Sequence, residues 1–274
     1  MKKIIFSLIA AALMFSACTK ETNVGPGRLV VKVTDDPFNI SFVESATVTI
    51  TKVEIRQKGQ QDGNPFIVLS EEPQTFNLLD LRNGITAELL NLEIPQGSYD
   101  LIRLYVDEAS LKIKDQVTDF KVKIPGGSQT GIKIFISPAL TVEGGLTSEL
   151  ILDFDLARSF VMKGNMSHSA GVNGFNFKPV IRATNNSTAG RIEGNVTDAQ
   201  NLKITDAKVW ISQDTVAATA FTDNLGNYSF IGVPSGTYTV SAVKENYDKL
   251  TFEGIKVLAG NRTIQNFILQ QKQQ

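Results

Sequence analysis

Alternating apolar and polar residues occur through most of the chain and predict β-strands. The clearest run has its apolar residues at Val48, Ile50, Val53 and Ile55. Side chains of a strand alternate between its two faces, so this spacing needs an extra residue near Thr51, a β-bulge, to bring all four onto one face. No long segment has the 3.6-residue period of an amphipathic helix. The pattern therefore predicts an all-β protein.

Two segments of the first half are less regular. Residues 66–69 and 75–78 are short apolar-rich runs, which we interpret as the two strands of one hairpin. Residues 78–92 contain leucines whose spacing fits either a short helix or strands. Both structures remain open for this second segment.

A polar break at residues 185–189 divides the chain into two predicted domains. Residues 27–184 form the first, a β-sandwich. Residues 190–270 restart the strand pattern, with about seven short strands in roughly eighty residues, the profile of a small β-sandwich. We therefore predict two consecutive antiparallel β-sandwich domains joined by a short linker.

One motif occurs in both predicted domains. Residues 94–99 and 233–238 each contain an aliphatic residue, proline, any residue, glycine, a hydroxyl residue and tyrosine, in that order. Proline fixes φ and glycine favours the turn, so each motif predicts a turn that leads into a strand. We expect Tyr99 and Tyr238 to pack at the edge of each sandwich.

The N-terminal residues indicate export and a lipid anchor. Residues 1–17 have a cationic start and an apolar run that is too short to span a bilayer, as in a secretory signal. Small residues then precede Cys18, an arrangement that resembles the lipobox of bacterial lipoproteins. The resemblance implies that residues 1–17 are a signal peptide and that the Cys18 thiol receives a diacylglycerol. Residues 18–26 would then be a lipidated tether, and Cys18 would attach the protein to a membrane.

Composition and charge remove several classes of function. The formal charge is −1, and it becomes −3 if Lys2 and Lys3 leave with the signal peptide. A weakly acidic body does not attract nucleic acid by bulk electrostatics, so we expect no nucleic-acid partner. Cys18 is the only cysteine and His168 the only histidine, which removes disulfides and the zinc sites built from cysteines or several histidines. We therefore expect no metal and no cofactor.

The residues that suggest catalysis each have a simpler explanation. His168 lies in a loop-like stretch beside serines, but nothing indicates a residue that would orient it as a base. Asp153 and Asp155 flank Phe154, and we interpret them as a solvent-facing pair with Phe154 in the core. Residues 223–227 are rich in oxygen atoms but lack the EF-hand pattern, so we interpret them as a turn. We predict that the protein is not an enzyme.

Trp210 is the best candidate for recognition in the second predicted domain. If Ala207, Val209 and Ile211 point inward, strand alternation makes Lys208 and Trp210 point outward. An exposed tryptophan offers a flat apolar face with a polar edge, which suits stacking on a sugar ring or a protein contact.

Two interpretations of Trp210 remain open. Its ring either contacts a ligand, or packs across the strands or between the two domains. Tyr228 and Tyr247 are further candidate ligand-binding residues that would extend an aromatic platform, although the faces on which they lie are not determined.

Segments of both predicted domains resemble known families. Residues 194–198, 207–211, 222–230 and 233–238 occur in the order found in the carboxypeptidase regulatory-like family of transthyretin-like sandwiches, which the second domain resembles. This resemblance implies a non-catalytic accessory module, in a fold group that also includes carbohydrate-binding domains. The first domain, through residues 27–37 and 150–160, is similar to a domain of unknown function that is common in lipoproteins of Bacteroidota.

Together these features predict an outer-membrane lipoprotein with two β-sandwich domains and no catalytic activity. Its expected work is binding or adhesion, with carbohydrate as the first candidate ligand and another envelope protein as the second. The alternative is a structural or assembly role, in which the sandwiches dock other envelope proteins. Whether the protein is on the periplasmic or the surface side of the membrane stays open.

Overall fold

The computed structural model describes residues 25–36, 42–60, 65–116, 119–124, 129–165, 167–213 and 215–272. We call strands β1 to β12 the N-terminal domain and strands β13 to β20 the C-terminal domain. The strands of the N-terminal domain are β1 (Gly27–Asp36), β2 (Val43–Gln57), β3 (Phe66–Ser70), β4 (Gln74–Asn77), β5 (Ala87–Ile94), β6 (Gly97–Ile113), β7 (Phe120–Lys123), β8 (Ile132–Val142), β9 (Thr147–Asp155), β10 (Phe160–Gly164), β11 (Val172–Phe177) and β12 (Ile181–Asn185). Those of the C-terminal domain are β13 (Ala189–Asp198), β14 (Lys208–Ser212), β15 (Val216–Phe221), β16 (Asn227–Pro234), β17 (Gly236–Val243), β18 (Leu250–Val257), β19 (Arg262–Ile264) and β20 (Phe267–Leu269). The described helices are α1 (Leu156–Ser159) and 3-10 helices at Leu78–Leu81, Ser169–Gly171 and Asn186–Thr188.

The N-terminal domain is a sandwich of long strands around one hydrophobic core. Its strands follow the order β3-β2-β6-β8-β12-β9-β1-β5, with β4 also on β2 and β7 also on β6. Strands β8 and β12 pair only at Ile136 and Ala183, so the sheet divides there into two layers. Most pairs are antiparallel, but β1 with β9 and β8 with β12 are parallel pairs. The predicted all-β sandwich fold is confirmed.

The bulge expected in β2 is present. Ile50 pairs with Val106 and Lys52 pairs with Tyr105, so Thr51 has no partner of its own in the ladder with β6. This extra residue returns the apolar residues that follow it to the inner face. All four apolar residues of the run that predicted it are buried in the core.

The hairpin predicted from residues 66–69 and 75–78 is wrong. Strands β3 and β4 do not pair with each other; both lie along the same edge of β2, β3 beside residues 53–56 and β4 beside residues 47–50. The 15 residues of β2 are long enough for two short partners in sequence. The ambiguous segment that follows contains both structures, a 3-10 helix at Leu78–Leu81 and then strand β5.

The C-terminal domain is a smaller sandwich with its own core. One sheet has the order β16-β13-β19, with β20 also on β13, and the other has the order β15-β14-β17-β18. Buried residues from both sheets, including Ile192, Val209, Val240 and Phe267, fill the space between them. The two hydrophobic cores of the chain lie on either side of the linker predicted at residues 185–189.

The motif shared by the two domains builds the same contact twice. The Tyr99 hydroxyl donates to the Pro95 carbonyl oxygen at 2.7 Å, and the Tyr238 hydroxyl donates to the Pro234 carbonyl oxygen at 2.8 Å. Both rings are buried, with 0% and 4% of their surface exposed. Burial raises the pKa of both tyrosine hydroxyls, which keeps them protonated as donors.

The C-terminal domain contacts the N-terminal domain through its edge strands β15 and β16. Arg182 of β12 donates to the carbonyl oxygen of Ala217 in β15 and also pairs with the Asp153 carboxylate of β9. Ala217 lies on an edge strand, at the register shift of the ladder between β14 and β15, where it has no Cα partner. Arg182 therefore forms polar contacts with both domains.

Two glycines with positive φ lie at the contact between the domains. Gly84 has φ +80° and Gly232 has φ +64°, in the left-handed region that favours glycine. A Cβ atom on Gly84 would lie 3.0 Å from Ser229 Oγ, and one on Gly232 would lie 3.4 Å from Thr184 Cβ. Each pair joins the two domains. A side chain at Gly84 would require Ser229 to shift by a few tenths of an ångström, whereas the distance at Gly232 is an ordinary van der Waals contact.

No helix among the residues that the structure describes is long and apolar enough to cross a membrane.

Candidate functional site

Trp210 lies on the outward face of the sheet β15-β14-β17-β18. Ala207, Val209 and Ile211 are buried in the core of the C-terminal domain. Lys208 and Trp210 alternate with them, and Lys208 is exposed while Trp210 is partly exposed. The predicted orientation of this strand is therefore confirmed.

Two lysines flank the Trp210 ring. The Lys208 Nζ atom lies 5.7 Å from the ring centroid and the Lys249 Nζ atom lies 5.1 Å from it. Lys208 precedes Trp210 on β14, whereas Lys249 reaches it from just before β18, two strands away. Neither ammonium group forms an ion pair with a carboxylate in the described part of the chain. Each such cation–π contact at an exposed site contributes about 0.5–1 kcal/mol.

Hydroxyl side chains lie on the same face beside the ring. Trp210 pairs with Thr219 on β15 and with Ser241 on β17. The Ser241 hydroxyl lies 2.9 Å from the hydroxyl of Thr251 on β18. We call this surface the Trp210 face; its members are Lys208, Trp210, Thr219, Lys249 and Thr251, whereas Ser241 is buried, with 2% of its surface exposed. The face combines a flat ring, two cations and two threonine hydroxyl groups.

The cation–π contacts and strand partners of Trp210 among the described residues belong to its own domain. Both lysines and both strand partners lie in the C-terminal domain. The clefts described between the two domains are lined by other residues, among them Phe221 on β15 and Tyr238 on β17. The structure thus places the ring in a cross-strand contact on an open sheet face.

The prediction that Tyr228 belongs to an aromatic platform at the surface is wrong. Only 2% of its surface is exposed, and its hydroxyl donates to the Gln265 carbonyl oxygen. Its ring contacts Phe230 and Phe267 in the core. Burial raises the pKa of the Tyr228 hydroxyl well above its ordinary value. A ring in this position fills the core and cannot stack on a ligand at the surface.

Tyr247 is partly buried and lies apart from the Trp210 ring system. It forms an isolated β-bridge with Gln271 near the C-terminus and packs against the second core. Among the described residues, no ring–ring contact joins Trp210 to Tyr228 or to Tyr247. Of the three aromatic residues proposed from the sequence, Trp210 alone has a clear place on the outward sheet face.

The other candidate residues have structural roles. Phe154 is buried as expected. Asp153 is less open to solvent than expected, because Arg182 pairs with it; burial raises the pKa of Asp153 and the guanidinium opposes that rise. Asp155 caps α1 by accepting from the Arg158 backbone N–H at 2.8 Å. The two carboxylates therefore serve separate partners.

The loop at residues 223–227 is a turn, as predicted. Asp223 Oδ1 accepts from the backbone N–H groups of Leu225 and Asn227, both at 2.8 Å, and Gly226 has φ +74°. Within the described residues, no group of three or more histidine, cysteine, aspartate or glutamate side chains is placed to hold a metal ion. Cys18 lies outside the described residues, so its acylation stays a prediction.

Docking of the domains creates clefts that the sequence did not indicate. A cleft of about 530 Å³ is lined by Phe135 and Arg182 of one domain and by Gln213 and Tyr238 of the other. A second, of about 480 Å³, is lined by amide side chains that include Asn83, Asn195 and Asn227. Both depend on how separately folded parts meet, for which local sequence gives no signal. Lys249 was missed for a related reason, since it reaches Trp210 across two strands.

Comparison with known proteins identifies both domains. Residues 26–179 match the model of Domain of unknown function (DUF4382), and residues 191–270 match that of the Carboxypeptidase regulatory-like domain. No curated protein matches the chain in sequence.

Several solved structures resemble the chain weakly. The Bacillus anthracis TIE protein is 13% identical with a TM-score of 0.26, over 90% of this chain and 34% of its own, so the chain spans about a third of its length. The shaft pilin SpaA of Lactobacillus rhamnosus GG is 10% identical with a TM-score of 0.26, over 91% of this chain and 99% of its own. BcpA, the major pilin subunit of Bacillus cereus, is 13% identical with a TM-score of 0.24, over 90% of this chain and 71% of its own. The family matches are decisive: the chain belongs to the family of the domain of unknown function DUF4382 and carries a C-terminal carboxypeptidase regulatory-like domain.

Proposed function

We propose that the protein is a non-catalytic lipoprotein of the outer membrane that binds carbohydrate, or mediates adhesion, through the Trp210 face. The observation that supports the proposal is the partly exposed Trp210 ring on an open sheet face, with cations and hydroxyl groups around it. The C-terminal domain belongs to a regulatory-like family, which agrees with a binding role.

The chemistry of the Trp210 face suits a sugar. The apolar side of a pyranose ring stacks on an indole, which removes apolar surface from water on both partners. Sugar hydroxyl groups then need hydrogen-bond partners at the edge of the ring. Thr219 and Thr251 can both donate and accept such bonds, and the lysines donate.

A glycan array on the chain from Gly27 onward tests this function. We expect Trp210→Ala to abolish each specific signal and Trp210→Phe to retain part of it, because phenylalanine keeps a smaller stacking face. Leu146→Ala is the matched control, since it removes an apolar side chain of the N-terminal domain that is 60% exposed and lines none of the described clefts. Circular dichroism melts would show that the variants are folded. Signals that survive Trp210→Ala would contradict the proposed site.

A co-purification experiment tests the alternative role in assembly. If no glycan binds, and the protein instead co-purifies specifically with one envelope protein, the sandwiches serve assembly by docking other components. Repeating the co-purification with Trp210→Ala would then show whether the Trp210 face makes that contact.

The lipid anchor needs its own test. We expect Cys18→Ser to move the protein from the membrane fraction to the soluble fraction and to remove labelling by a radioactive fatty acid. Because Cys18 is the only cysteine, no other thiol can carry a thioether-linked lipid. Protease treatment of whole cells distinguishes the two sides of the membrane: a surface protein is cleaved, and a periplasmic protein is protected. Full protection would contradict adhesion.

A further inference from the structure

We propose that the ligand of the Trp210 face is an acidic carbohydrate, one that carries carboxylate, sulfate or phosphate groups. This inference rests on the proposed function of the same face and names the chemical class of its ligand. Three observations carry it: the position of the two lysines, their lack of acidic partners, and the charge of the rest of the chain.

The two lysines are placed to contact an acid group on a stacked sugar. The Nζ atoms of Lys208 and Lys249 lie over the Trp210 ring, 5.7 Å and 5.1 Å from its centroid. A sugar that contacts the indole therefore comes within reach of both ammonium groups. Lys208 and Lys249 come from different parts of the chain, so two separate segments supply one cationic rim.

The lysines of the Trp210 face differ from Lys32 and Lys52 on the sheets of the N-terminal domain. Lys32 pairs there with Glu149, and Lys52 lies 3.1 Å from Glu54 and 2.9 Å from Glu71. Lys208 and Lys249 form no such pair with any described carboxylate. Their ammonium groups therefore keep the capacity for charge-assisted hydrogen bonds, which are roughly twice as strong as neutral ones.

An acidic ligand uses this capacity, whereas a neutral one does not. A neutral sugar that covers the ring displaces water from two ammonium groups without replacing it by an opposite charge. A carboxylate, sulfate or phosphate supplies that charge. The chain itself has a formal charge of −1, so the cationic rim is opposite in sign to the molecule as a whole. Such a local patch selects by charge at short range, because salt screens interactions beyond about 8–10 Å.

The test compares matched neutral and acidic oligosaccharides by isothermal titration or surface plasmon resonance. The probes are a neutral oligosaccharide, its uronic acid, sulfated and phosphorylated counterparts, and a single-stranded DNA of similar charge. We expect the acidic probes to bind more tightly, and their affinity to fall as salt is raised. Lys208→Gln and Lys249→Gln should each lower acidic-glycan affinity about two- to fivefold, the range for exposed charge pairs, with little effect on the neutral probe.

Lys256→Gln is the matched control. It removes the same charge from an exposed residue of β18 whose ammonium group makes no cation–π contact with Trp210. It should leave all affinities unchanged. Equal affinity for neutral and acidic probes, unaffected by the two lysine variants, would overturn the acidic ligand and leave carbohydrate binding intact. Tighter binding of DNA than of every glycan would also overturn it. Absence of any glycan binding would instead refute the proposed function.

Discussion

The tyrosine hydroxyl that closes the turn of the C-terminal domain allows a quantitative test of its shared motif. Tyr238→Phe removes the 2.8 Å hydrogen bond to the Pro234 carbonyl oxygen and leaves the buried ring in place. A buried hydrogen bond contributes about 0.5–1.5 kcal/mol net. Pro234 is exposed, so water can reach its free carbonyl oxygen in the variant. We therefore expect a loss of about 1 kcal/mol in the free energy of unfolding.

Trp210 makes the assay specific to one domain. It is the only tryptophan, so its fluorescence during urea unfolding reports on the C-terminal domain. Tyr238→Phe should lower the urea midpoint with little change in slope, and a loss of about 1 kcal/mol corresponds to roughly 4–8 °C in the melting temperature of a domain of this size. Tyr238→Ala should cost about 3–5 kcal/mol, because it also removes a buried ring.

Tyr99→Phe is the internal comparison. It breaks the same contact in the N-terminal domain, where the hydroxyl lies 2.7 Å from the Pro95 carbonyl oxygen. Circular dichroism should show a similar loss for the N-terminal domain, while the Trp210 fluorescence transition stays close to wild type. A change below about 0.3 kcal/mol in Tyr238→Phe would refute the reasoning, since the hydrogen bond would then add nothing to stability. A loss as large as that of Tyr238→Ala would show that the ring itself had moved.

Three further predictions concern the cores and the contact between domains. Phe154→Ala should lower the free energy of unfolding by about 3–5 kcal/mol in urea, because its ring is fully buried. Tyr228 has a raised pKa in the folded protein, so its contribution to stability is complete below about pH 10 and is lost as pH rises further; Tyr228→Phe should weaken this alkaline loss of melting temperature. Gly84→Val should loosen the domain contact and speed limited proteolysis near residues 185–189. Gly145→Val, at φ +73° with no atom within 4 Å of a Cβ, should not.

Local patterns in the sequence predicted the features that depend on one strand at a time. The bulge at Thr51 follows from the spacing of apolar residues within β2, and the outward position of Trp210 follows from alternation within β14. Alternation also places Tyr228 on the inner face of β16. Phe230 lies two residues later on the same strand and is buried, so the two rings share one face.

Features that depend on which strands meet could not be predicted in this way. The predicted hairpin joined the runs at residues 66–69 and 75–78 because they are adjacent in sequence, whereas both runs pair with the long strand β2. Lys249, just before β18, contacts Trp210 on β14 across the intervening strand β17. No local pattern specifies this strand order. The ion pair of Arg182 with Asp153 and its bond to Ala217 likewise require the docked domains.

The contact of β15 and β16 with the N-terminal domain affects whether the C-terminal domain can be expressed alone. An edge strand carries a row of unpaired N–H and C=O groups, on which another chain can add a strand. Separated from its neighbour, the C-terminal domain would expose both edges, including the Ala217 carbonyl that Arg182 now occupies. The N-terminal domain therefore covers these two edges in the intact chain, and we expect the C-terminal domain expressed alone to self-associate along β15 and β16.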